Sequence, residues 1–103
     1  MFMDTNNLIN DAKIRFAHNS ARAYLKDKYT AKLKIVEQSG LWTASPDLIA
    51  YLKSIQEPTT ILIDEYQDPI KVDVLSLLSK LNETYNQVMN EWHNEWKELE
   101  NQR

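Results

Sequence analysis

A chain of 103 residues, 43% of them hydrophobic, has room for one domain and the composition of a globular protein rather than a disordered one. Its 12 basic and 15 acidic residues are interspersed and leave a net charge of -3, so no block of one sign advertises a nucleic-acid or membrane surface. The lack of cysteine excludes disulfides and thiolate metal sites, and the single glycine excludes a glycine-rich phosphate loop.

MFMDTNNLIN lacks a basic region followed by a long apolar run, so no secretion signal is expected. No apolar run approaches the ~18 residues that a membrane span needs. The expected location is the cytoplasm when made, or a virion. Thr5 or Asn6 is a candidate cap for the helix that follows, because a short oxygen-bearing side chain can accept from the orphan N–H groups of a first turn.

From Asn7 to Gln38 there is neither glycine nor proline. Ile14, Ala17, Ala21, Leu25, Tyr29, Leu33 and Val36 recur at helical spacing, which predicts a first helix of roughly 30 residues. Ile9, Ala12, Phe16 and Ala23 fall on nearly the opposite side. A helix apolar on two sides has two things to touch: one core wrapped around it, or a fold face plus a subunit face. Gly40 stands where the stripe ends and suits a left-handed helix closure, with Leu41 or Trp42 packing back on the last turn. A competing reading makes Ala31–Val36 a strand turning at Ser39–Gly40, since Leu33, Ile35 and Val36 are compatible with β structure.

Thr43–Ile55 predicts a second helix, with Ser45 as its cap, Pro46 at the first helical position and Asp47 at the positive end of the dipole. Leu48, Ile49, Leu52 and Ile55 form its buried face, and Pro58 ends the pattern. Thr60–Val72 reads as a β-hairpin: Ile61, Leu62 and Ile63 on one strand, Ile70 and Val72 on the other. One face of so small a hairpin must lie on the helices.

Asp73 closes the second strand and can cap the last helix. In Asp73–Leu99, Val74, Leu78, Leu81, Tyr85, Val88, Trp92, Trp96 and Leu99 follow steps of three and four. The order is α–α–β–β–α, a mainly α (α+β) chain in one domain spanning 1–103. The expected core is Leu25, Leu33, Leu52, Ile61, Ile63, Val72, Leu78, Leu81 and Tyr85.

Candidate chemistry is sparse. His18 and His93 stand in no ligand motif such as HExxH and read as solvated helix histidines. Asp64, Glu65 and Asp68 crowd the hairpin tip, but a calcium loop wants a glycine for its sharp turn. A solvated turn, with Asp68 bonding its own backbone before Pro69, fits better. No G-x-S-x-G elbow surrounds a serine. No catalytic, metal or cofactor residues are expected, and no enzyme.

Arg15, Arg22, Lys26, Lys28, Lys32 and Lys34 make the first helix basic, while Glu91, Glu95, Glu98 and Glu100 make the end of the last one acidic. Two such ends can attract each other; the other reading is a basic helix on nucleic acid or a host protein. Trp92 and Trp96 share one helix face, and aromatics are enriched at interface centres. Trp92, Trp96, Leu99, Ile9 and Phe16 are the expected interface residues, in a homo-oligomer or larger protein assembly. No small-molecule substrate is evident.

The stretch TTILIDEYQDPIKVDVLSLLSKLNETYNQVMNEW pairs an apolar strand, an acidic turn, a P-I-x-V strand and a Leu/Tyr/Val helix. This layout resembles the C-terminal part of small tailed-bacteriophage proteins, including ones associated with tails and tail-fibre assembly. It covers less than half of the chain. The resemblance implies a non-enzymatic virion or assembly component and transfers no functional residues.

Overall fold

The computed structural model describes the backbone of residues 5–102 and the side chains of residues 12–102. The expected interface residue Ile9 and the cap at Thr5 or Asn6 lie outside the described side chains. The order is α1 (Thr5–Lys32), β1 (Lys34–Glu37), β2 (Gly40–Thr43), α2 (Pro46–Ser54), β3 (Thr59–Ile63), β4 (Pro69–Asp73) and α3 (Val74–Asn101). The chain is mainly α, with two separate antiparallel hairpins.

The caps follow the sequence. Ser45 Oγ accepts from Leu48 N at 3.2 Å, with Pro46 opening α2. Asp73 Oδ2 accepts from Ser76 N at 3.0 Å at the start of α3. Both satisfy a donor that the helix itself cannot.

The first helix corrects the single run to Gln38. It stops at Lys32, and the competing strand reading is the one observed, displaced to Lys34–Glu37. Glu37 pairs with Gly40, so Gln38 and Ser39 alone make the turn, at φ 48° and 69°. Two successive left-handed residues form the turn whose twist matches a two-residue hairpin.

Gly40 therefore caps no helix and has no positive φ. It opens β2, and glycine is needed there for space: a Cβ would stand 2.6 Å from Trp42 Cζ2. Trp42 does not pack over a helix end either. Its indole lies against Gly40, is buried, and donates from Nε1 to the Glu37 carbonyl at 2.8 Å. The Gln38 side chain then ties the turn to the end of β4, accepting from Asp73 N at 2.7 Å and donating to Asp73 O at 3.2 Å.

The second hairpin lies where expected, with Leu62 opposite Ile70 and Ile61 opposite Lys71. Its inward parity does not. Leu62 and Val72 are buried, whereas the expected core residues Ile61 and Ile63 are 65% and 61% exposed. Side chains alternate across a strand, so one parity excludes the other. Leu62 and the buried Asp64 take the inside together.

The molecule has a head and a stalk. In the head, Trp42, Leu52, Leu62, Val72, Leu77 and Leu81 form one buried cluster, with Leu78 and Tyr85 half-buried against it. In the stalk, α1 and α3 run antiparallel around Leu25, Tyr29 and Val88. Half-buried Leu33 touches both clusters. The extents are 70 × 25 × 20 Å and the radius of gyration is 20.2 Å, against about 13 Å for a compact chain of this length. No helix among the described residues is long and apolar enough to cross a membrane.

Candidate functional site

The stalk holds most of the residues expected at an interface, and the structure divides them. Trp92 is half-buried within the chain, its ring stacked on Tyr29 at 6.1 Å and 10°. Leu99 is half-buried against the same cluster. These two belong partly to the intrachain seam, contrary to a pure subunit contact. Trp96 remains 40% exposed with His93 stacked on it at 5.6 Å, and Phe16 is 75% exposed.

The basic and acidic ends meet inside the chain. Lys28 Nζ donates to Glu95 Oε1 at 2.7 Å, and Lys32 Nζ lies 3.5 Å from Glu91 Oε2. The Tyr29 hydroxyl donates to the same Glu95 oxygen. Lys28 and Tyr29, both donors to Glu95, hold its carboxyl below the ordinary carboxylate value. Reciprocally, the Glu95 bond raises the Tyr29 hydroxyl and the Lys28 ammonium above their usual values.

The pH dependence follows from these directions. Glu95, depressed in the folded state, stabilises above its unfolded value of about 4.3, and this is lost as pH falls through the folded value. Tyr29 and Lys28, raised in the folded state, stabilise below their unfolded values of about 10, and this is lost as pH rises through the folded ones. Thermal melts followed by circular dichroism should show a plateau between those limits and a decline on each side. Glu95→Gln should flatten both limbs; unchanged limbs would mean that the cluster does not hold the stalk together.

His18 does not read as a solvated histidine in the structure. Its side chain is largely buried, and Nε2 lies 3.3 Å from Glu100 Oε1, an ion pair when the ring is protonated. This contact marks the far end of the seam. α1 begins about three and a half turns before it, so α1 outruns α3, whose last helical residue is Asn101. Ile14, 66% exposed, lines an open groove with Ala17, Ala21, Leu99 and Gln102 at that step.

The second hairpin's tip turns out to be structural. Asp64, not Asp68, organises the turn. It is buried, and its oxygens accept from Leu41 N, Tyr66 N and Asp68 N at 3.0, 3.1 and 3.0 Å. Those bonds hold its pKa low. Among the described residues no three His, Asp or Glu side chains gather as a metal site. Compared with known proteins, the chain matches no family model, no curated protein and no solved structure.

Tyr29, Trp42, Asp64 and Gln38 were absent from the expected core and sites. Tyr29 stood in the first helix's stripe, and its partner Glu95 follows once the helices are taken as antiparallel. Trp42 and Gln38 depend on a turn that the sequence does not mark with Asn-Gly or Asp-Gly, and the Asp64 bond to Leu41 depends on the strand which that turn creates.

Proposed function

We propose that this chain is a non-enzymatic structural and interaction protein that joins its own copies, or a larger assembly, through the two-helix stalk. The observation that carries this reading is the display of Ile14, Phe16 and Trp96 on a narrow rod, away from the head core. Ile14 and Phe16 stand on different sides of α1 and Trp96 stands on α3, so the rod carries exposed apolar surface on more than one side, more than its narrow body covers. The step where α1 outruns α3 suits a lap joint: a second copy, turned end to end, lays its own α1 beside the first and continues the line of α3. Such a two-fold contact uses one patch twice and closes on itself.

Tailed-phage virion or assembly membership is part of the proposal, on the layout of residues 59–92 alone. A nucleic-acid role for the basic helix is disfavoured because Lys28 and Lys32 are engaged with Glu95 and Glu91.

Light scattering and native mass spectrometry test the self-association. The expected species is larger than the 12.1 kDa chain. Phe16→Ser with Trp96→Ser should return it to one chain with helical content unchanged, because neither ring is in the core. Trp92→Ala should instead lower the melting temperature, since that indole packs on Tyr29. A monomer at every concentration sinks the homo-oligomer, and an oligomer indifferent to Phe16 and Trp96 moves the contact off the stalk.

A further inference from the structure

We infer that the groove between Trp92 and Trp96 on one flank of the stalk docks an acidic amphipathic helix of another protein. The inference rests on the stalk being a contact surface, and it names what one flank of that surface recognises. The groove has a volume of about 520 Å³ and runs between α1 and α3. Leu25, Ala23, Met89 and the two indoles make its apolar lining. On α1, Phe16, Asn19, Ala23 and Lys26 share one face at steps of three and four, so the exposed Phe16 stands on the groove's side of α1, beyond Asn19. A third helix laid between the two antiparallel ones would set its apolar residues at i, i+3 and i+7 against the indoles, Met89 and Ala23.

Charge identifies the occupant. The chain as a whole carries -3, yet the charged side chains lining the groove are Arg22 and Lys26, with His93 beside them, and no carboxylate. Of the stalk carboxylates, Glu91 and Glu95 are committed to Lys32 and Lys28, and Glu100 lies 3.3 Å from His18 Nε2 beyond the groove. An apolar trough with a cationic rim favours an apolar ridge flanked by Asp or Glu. Single-stranded nucleic acid needs open ring faces for its bases. Here Tyr29 stacks on one face of Trp92 and His93 on one face of Trp96, which leaves fewer open faces for bases.

The test uses the full chain and synthetic amphipathic peptides of about 20 residues, long enough to form helix in water. One carries a leucine ridge flanked by glutamate, one the same ridge flanked by lysine. A dye-labelled oligothymidylate is the third probe. Fluorescence anisotropy should show the glutamate peptide binding at least about tenfold tighter than the lysine peptide, and weakening with salt. Arg22→Glu with Lys26→Glu should reverse that preference, and Trp96→Ala should weaken binding by about tenfold or more. Circular dichroism of each variant should match the parent, since all three side chains are exposed.

Equal binding of the two peptides, or a preference that survives charge reversal, overturns the inference. Tighter binding of the oligothymidylate overturns it in favour of nucleic acid. Peptide binding lost while the Phe16- and Trp96-dependent oligomer persists removes the groove assignment alone. Peptide binding by a strict monomer removes self-association alone.

Discussion

Trp42→Ala is expected to lower the stability of the chain by about 3–5 kcal/mol, the usual range for removing a buried aromatic side chain. Domains carry about 5–15 kcal/mol in all, so the head should approach its unfolding threshold. The indole is 2% exposed and sits in the same cluster as Leu52, Leu62, Leu77 and Leu81. It also closes the first hairpin on itself, through Nε1 to the Glu37 carbonyl and through its contact with Gly40. Truncation leaves a cavity and removes the Nε1 donor to the Glu37 carbonyl together. Trp42→Phe keeps much of the apolar volume but loses the Nε1 donor and some of the packing, and should cost about 1–3 kcal/mol. Urea unfolding measures both. A loss below about 1 kcal/mol for the alanine variant would mean that the head is organised around something other than this ring.

Asp64→Ala should be the most damaging polar substitution. It removes the acceptor for three backbone donors at once, two in its own turn and one on β2. The Leu41 donor is partly buried beneath the tip, where losing its acceptor costs more than at the exposed Tyr66 and Asp68. The Asp64 bond to Leu41 N works alongside Glu65 N donating to Leu41 O at 2.9 Å, so one residue of β2 is held from both sides by the tip of the other hairpin. Asp64→Asn separates the two roles. Its single carbonyl oxygen can still serve Tyr66 N and Asp68 N, while its amide would face the Leu41 donor. It should therefore keep the turn and loosen the join between hairpins. Hydrogen exchange at Leu41, Tyr66 and Asp68 distinguishes these outcomes; exchange at Leu41 unchanged from the parent in both variants would show that the carboxylate acts only as a turn residue.

The same carboxyl gives an acid signature. Its pKa is depressed in the folded state by the backbone donors of Asp68 and Leu41. Its stabilisation is present above the unfolded value and lost as pH falls through the folded one. The asparagine variant should lack that part of the acid decline.

Much of this architecture was legible in local sequence. Ser45-Pro46-Asp47 announces α2 and Asp73 announces α3, because capping chemistry acts within one turn and needs nothing distant. The stripe from Val74 to Leu99 gives the long last helix, because a helical period is a property of the strand of sequence that carries it. Composition removed cysteine and glycine-loop chemistry outright.

Where a choice depended on distant partners, the tertiary structure made it. Leu33–Val36 suits helix and strand alike, and strand wins because Gln38 anchors on Asp73 and Trp42 folds over Gly40. In β3, Ile61 and Ile63 outnumber Leu62, yet Leu62 goes inward with Asp64, whose acceptors are needed by a strand over twenty residues earlier. Trp92 and Trp96 look alike in sequence. Only the placement of Tyr29 across the seam buries the first and leaves the second at the surface. Period and caps are set by neighbours along the chain, whereas parity, burial and ion pairing are set by what the folded chain brings across from elsewhere.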